Sequence, residues 1–292
     1  MVFRTGAAAW LLTAMLAGTA LGAVGAGLRT DAGRDVLTRY GVALLNQVVH
    51  GTAVVGEVTG TLTDGIEARD VVIRGEDGTL LAHLPEVTLR YRMLDLLTGR
   101  IALGRVVLDK PRINIVKQAS GRFNYEEVLG LGGPGGGGRK PLVAFRDVEI
   151  RDGTVVIRTP TEATNHTSME IESGPAGLMR IRRLDNLNAI VSYARVSSPF
   201  EGENALRFDI DELSARFSDP QLDVRSLRGR LEIDGDSIVL DLSRFVLPGS
   251  ETTLKGVLRW PDGPLLLALE LDADRLAVED ARPFVDGLPW GL

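Results

Sequence analysis

The chain has 292 residues, a formal net charge of −6, 44% hydrophobic residues and 5% aromatic residues. That length holds one large β domain or two ordinary ones. The mild acidity, with both signs spread along the chain, excludes a nucleic-acid partner, which needs a basic patch, and the few aromatics exclude a stacking platform for single strands. There are no cysteines, so disulfides and thiolate metal sites are excluded and packing and backbone pairing must hold the fold.

No charge occurs from Thr5 to Leu28, a stretch longer than the roughly 20 residues that cross a bilayer core. Leu11, Leu12, Met15, Leu16 and Leu21 carry its hydrophobicity. It reads as a membrane anchor over 1–28, or as a signal peptide cleaved near Ala20-Leu21-Gly22-Ala23. Arg4 stands before the segment and Arg29, Arg34 and Arg39 after it. Either reading sends the bulk of the chain out of the cytoplasm, because long domains translocate despite such flanks.

Within 29–51, Val36, Tyr40, Leu44 and Val48 recur every fourth residue, with Leu37, Leu45 and Val49 widening the stripe. The spacing predicts an amphipathic helix, started by Thr30 or Asp31 and ended at Gly51, that packs on the first strands or closes one end of a β structure. From Ala53 the period becomes two: Val87, Leu89 and Tyr91 alternate with Thr88, Arg90 and Arg92. Residues 93–98 interrupt the strands as a helical turn, Ile101 and Leu103 restart them, and Asn124 caps a short helix through Leu129. A Gly/Pro run over 130–138 reads as a linker, within 130–140, between a first β unit (52–129) and a second (141–292) that is incomplete at its C-terminus.

In the second unit, Val148 and Ile150 lead into Asp152-Gly153, and Val155 and Ile157 follow, which predicts a hairpin. Leu231 and Ile233 precede Asp234-Gly235-Asp236, and Ile238, Leu240 and Leu242 come after. Leu254 and Leu258 precede Pro261-Asp262-Gly263, and Leu265, Leu267, Leu269 and Leu271 follow, with Glu270 and Asp272 opposite. Residues 160–204 give no clear strands and contain a small basic cluster, Met179-Arg-Ile-Arg-Arg.

This alternation makes an antiparallel sheet with one wetted face. A second sheet over the other face gives a sandwich, closure gives a barrel, and lipid chains give an open groove; periodicity does not choose. About 14 candidate strands at ~4.8 Å make a sheet roughly 65 Å long, which must curl or split.

No catalytic constellation is present. Gly130, Gly132 and Gly135 match a dinucleotide-binding spacing without the strand and helix it requires, and Gly133 to Lys140 lacks the P-loop Lys-Ser/Thr. His50, His83 and His166 have no metal-ligand spacing. Asp209/Asp211, Asp234/Asp236 and Asp272/Asp274 fit turns and surfaces. Asn165-His166-Thr167 fits a glycosylation acceptor but carries little weight. No cofactor is expected.

Gly56-Glu-Val-Thr-Gly-Thr-Leu-Thr-Asp-Gly-Ile, the Leu94–Gly99 turn, Asp109-Lys110-Pro111 and Gly121-Arg-Phe-Asn124, downstream of a hydrophobic segment, occur in an order that resembles the amino-terminal region of the AsmA/TamB family of bacterial envelope proteins. The match is best over the anchor and 56–129, looser over 141–158 and 205–286. The chain is shorter than members that bridge the envelope and resembles a fragment of one. The resemblance implies a mainly β protein: an N-terminal transmembrane helix and a short amphipathic helix, then a curled antiparallel meander forming an elongated apolar groove, taco-like in section. It implies a single-pass inner-membrane protein with its bulk in the periplasm, no enzymatic activity, and binding or conduction of phospholipid between membranes. The alternative is a scaffold for assembly of outer-membrane β-barrel proteins. The expected groove lining is Val87, Leu89, Tyr91, Leu231, Ile233, Ile238, Leu240, Leu242, Leu265, Leu267, Leu269 and Leu271.

Overall fold

The computed structural model describes residues 51–61, 65–90, 105–118, 120–128, 143–161, 170–174, 177–197, 206–219, 221–234, 237–259 and 266–280. The anchor, the helix expected over 33–50, the turn at 93–98, the strand restart at Ile101 and Leu103 and the Gly-rich run lie outside these residues.

The protein is mainly β. The strands are β1 (Gly51–Val54), β2 (Glu57–Thr61), β3 (Gly65–Gly75), β4 (Leu80–Leu89), β5 (Val106–Asp109), β6 (Arg112–Val116) and β7 (Val143–Pro160). They continue with β8 (Glu170–Gly174), β9 (Gly177–Ser197), β10 (Leu206–Ser218), β11 (Gln221–Asp234), β12 (Ser237–Val246), β13 (Glu251–Arg259) and β14 (Leu266–Arg275). All belong to one sheet, ordered β1-β3-β4-β5-β7-β9-β10-β11-β12-β13-β14, with β2 beside β3, β6 beside β4 and β7, and β8 beside β9. Strands on both sides of the Gly-rich run thus share this sheet.

The expected antiparallel meander is corrected to a mixed sheet, because β7 runs parallel to β5 and β6. Parallel neighbours need a crossover of a dozen or more residues, and the 117–142 connection supplies one. That connection contains α1 (Asn124–Val128). Phe123 N donates to Glu126 Oε2 at 2.9 Å, which satisfies an amide at the helix start. Asn124 accepts from Tyr125 N at 3.0 Å and also ties the helix to β6, accepting from Val116 N and donating to Asn114 O, both at 2.9 Å.

The hairpin expected at Asp152-Gly153 is absent; the chain runs straight on through β7. Asp152 takes a left-handed φ of 49° and its N–H donates to Asn188 Oδ1 at 3.0 Å, making a bulge inside one long strand. The type I′ reversal that Asp-Gly favours needs both central residues left-handed, and Gly153 is not among the positive-φ glycines. The hairpin at Asp234–Ser237 does form, with those residues directly paired.

The Asp152 bulge is one point on a crease. Asp70 in β3 (φ 52°), Lys110 between β5 and β6 (φ 50°) and Asn186 in β9 (φ 52°) are also left-handed. Lys110 N donates to Arg151 O and Thr154 N to Pro111 O, both at 2.8 Å, so the β5–β6 break faces the β7 bulge. Register shifts at Ile210/Leu213, Arg228/Gly229 and Leu242/Phe245 extend the line through β10 to β12. A bulge bends its strand and raises local twist, and bulges lined up on neighbouring strands bend the sheet along one line.

Candidate functional site

One face of the sheet carries apolar rows from β4 to β14. Leu89, Val106, Val148, Val191 and Ile210 are successive cross-strand partners from β4 to β10. Gly229, Leu242, Leu254 and Leu271 carry the same row to β14. Direct partners point to the same face, so the row spans nine strands. A second row runs Val87, Leu108, Ile150, Ala189, Leu213, Leu227, Phe245. A third runs Phe145, Ala194, Phe208, Leu231, Leu240, Gly256, Leu269. Ile233, Ile238, Leu258 and Leu267 are paired in the next row.

The opposite face carries a charge ladder. Asp209, Arg230, Asp241, Lys255 and Glu270 are direct partners across five strands, alternating in sign. Arg230 Nε lies 2.8 Å from Asp209 Oδ1, and Lys255 Nζ 3.7 Å from Asp241 Oδ1. Burial works against the Asp209 carboxylate, yet hydrogen bonds from Arg207 and Arg230 outweigh it and hold its carboxyl below the usual carboxylate range. Over β10–β14 this face is charged and the other is apolar.

Burial along the apolar face is graded. At the β1–β5 end, Val87, Leu89 and Val106 belong to a buried cluster that extends to Val128 of α1, with Tyr125 against it. Leu89 is 3% exposed and, farther along, Leu242 is 2% exposed. At β14, Leu269 and Leu271 are 44% and 48% exposed. Of the expected lining, Val87, Leu89 and Leu242 are therefore sealed, Leu231, Ile233, Ile238 and Leu240 are half-buried, and Leu269 and Leu271 are open. Leu267 is known by its pairing with Leu258; Tyr91 and Leu265 lie outside the described residues.

Sequence reasoning missed Phe145, Ala194, Phe208, Ile210, Leu213 and Phe217 on this face. The alternation Phe208/Ile210 and Leu213/Ala215/Phe217 is the signal, interrupted where the register shifts.

No group of three metal-ligating side chains occurs among the described residues. His83 lies 3.5 Å from Asp70 at the surface. Asp209 is committed to its arginines, and Asp211 accepts from Ser192 Oγ at 3.1 Å. An open cleft of about 540 Å³ at the β10–β11 turn contains Arg216, Asp223 and Glu279 around Phe217 and Leu222, and its Asp280 accepts from Gly249 N at 2.8 Å. Two of the three arginines in the basic cluster are paired: Arg180 bonds Asp219 at 2.5 and 2.7 Å, and Arg183 bonds Glu170 at 2.6 Å. No protein-family model, curated protein or solved structure matches this chain.

Proposed function

We propose that this is a non-enzymatic envelope protein that holds or conducts phospholipid acyl chains along the apolar face, with the sheet curled about its crease into an elongated trough. In this reading the N-terminal segment anchors the chain in the inner membrane and the sheet lies in the periplasm. The observation that carries it is the row from Leu89 to Leu271, unbroken by a charge across nine strands. An apolar sheet face must be covered, and the described strands form no second sheet. They form no barrel either: among the described residues, β14 pairs only with β13, and β1 and β2 only with β3. Nine strands at ~4.8 Å extend about 38 Å, more than the ~15 Å of one bilayer leaflet's hydrocarbon, so an extended acyl chain fits across them.

The test is native mass spectrometry with lipid extraction on the full chain purified from a bacterial envelope. Bound phospholipid, lost in Leu269→Asp/Leu271→Asp with circular dichroism unchanged, supports the reading. A lipid-free protein with the same compact fold refutes it.

One observation favours a second reading. The outer edge of β14 has no strand partner among the described residues, and such an edge accepts a strand from another protein. A scaffold for outer-membrane β-barrel assembly would use it so. A photocrosslinker at Asp272 that captures no envelope β protein counts against that role.

A further inference from the structure

We infer that the apolar face ends, at β7–β9, in a seat for the phosphate of a phospholipid headgroup, with Arg182 as its main ligand; this rests on the reading of that face as an acyl-chain surface. Val155 and Leu184 are direct partners on the apolar face, and Phe217 and Leu222 continue their row. Two positions along, Arg182 is the partner of Ile157, which is the partner of Ile115. Its guanidinium therefore stands on the apolar wall. Arg180 stands in the next row, opposite Thr159.

The charges there do not balance. Arg180 takes both oxygens of Asp219, at 2.5 and 2.7 Å. Arg182 Nε is 3.8 Å from the same carboxylate, beyond hydrogen-bond reach, and its Nη1 donates to Thr159 Oγ1 at 3.0 Å. Among the described residues two guanidiniums thus share one carboxylate. The neighbouring arginines on the opposite face differ: Arg158 has Glu172 at 2.6 Å and Arg183 has Glu170 at 2.6 Å. Burial, and next the like charge of Arg180, hold the Arg182 guanidinium below its usual pKa, with Asp219 only partly offsetting them.

A half-buried cation without its own counter-ion weakens a fold, and an arriving anion restores the balance. A phosphate offers several acceptor oxygens to the planar guanidinium fork. The adjoining Leu184–Phe217–Leu222 row begins where the tails of such a lipid would begin. A soluble anion would gain nothing from that row; a phospholipid gains from both parts.

The experiment uses the full chain in a nonionic detergent, offered phosphatidylglycerol and a diacylglycerol with the same acyl chains, with retention read by native mass spectrometry. The wild-type protein retains phosphatidylglycerol over diacylglycerol by on the order of tenfold, the worth of a charge-assisted hydrogen bond. Arg182→Gln retains both equally with its melting temperature undiminished, and Arg182→Lys recovers part of the preference. Thr159→Val, which removes the hydroxyl orienting Arg182, weakens the preference and serves should Arg182→Gln fail to fold. Equal retention of both lipids by the wild type, or an undiminished preference in Arg182→Gln, overturns the seat and leaves the acyl-chain surface standing. Retention of neither lipid overturns both. Arg182-dependent binding of inorganic phosphate, with no preference between the lipids, overturns the lipid assignment.

Discussion

Leu242 and Leu271 stand in one cross-strand row, joined through Leu254, so truncating each in turn tests whether the face is sealed or open. Leu242 is 2% exposed, so Leu242→Ala loses the transfer energy of its removed carbons and leaves a cavity, a cost of about 3 kcal/mol within the usual range of 2–5. Leu271 is 48% exposed, so roughly half of that transfer energy was never gained, and water fills the space. Leu271→Ala should cost about 1 kcal/mol or less. Urea unfolding of the lipid-free full chain, followed by circular dichroism, measures both. The expected gap is about 2 kcal/mol. Equal costs would show that β14 closes over a dry core, and the trough would be refuted.

Gly256 has a φ of +148°, and a Cβ there would lie 2.1 Å from the Ala268 carbonyl oxygen. Gly256→Val should cost at least ~2 kcal/mol and loosen β14, seen as lost hydrogen-exchange protection over residues 266–275 while β9–β11 stay protected. Asp209 has a folded-state pKa below its unfolded value of about 3.9, so its contribution is full above that value and lost as pH falls through the folded pKa. Urea midpoints should drop as the pH falls below about 4, and Asp209→Asn should flatten that slope. Asn124 is buried and serves Val116 N and Asn114 O. Asn124→Ala strands both and should cost about 2–3 kcal/mol in the same unfolding assay, with α1 the first element to lose exchange protection.

The β class, the later hairpins and the apolar face of β11–β14 were legible because alternation is unbroken over Leu231–Ile233, Ile238–Leu242 and Leu267–Leu271. β9 was not. Its apolar-face positions run Arg180, Arg182, Leu184, Leu187, Ala189, Val191, Ala194, with intervals of two interrupted twice by three. The left-handed Asn186 makes the first interruption. A period-two reading loses phase at each bulge, and Met179 and Ile181, buried on the other face, blur it further. The same physics made Asp152-Gly153 look like a reversal, since local chemistry favours a left-handed Asp in either a turn or a bulge; the choice lies with the long partner β9. The parallel pairing of β7 depends on the path of the 117–142 connection, which carries no periodic signal. Burial was equally hidden: Val87 and Leu89 alternate as cleanly as Leu269 and Leu271, yet the first pair lies in a buried cluster and the second is open.

That gradient argues about use as well as stability. Replacing Leu269 and Leu271 by threonine would keep β propensity and give up about 1 kcal/mol each at their present exposure. It would also remove an apolar patch on a strand with one edge unpaired among the described residues, the kind that invites aggregation. The opposite face of β14 already carries Glu270 and Asp272, so charge is placed where it protects solubility and kept off the apolar row. A chain whose only need were a stable sheet would let polarity rise on both faces of a strand that is this exposed. Here one face stays charged through β14, while the other stays leucine-rich as its burial falls away. That combination fits a surface whose cover arrives from outside the sheet, and an acyl chain, apolar and without hydrogen-bonding demands, is the cover that asks least of such a wall.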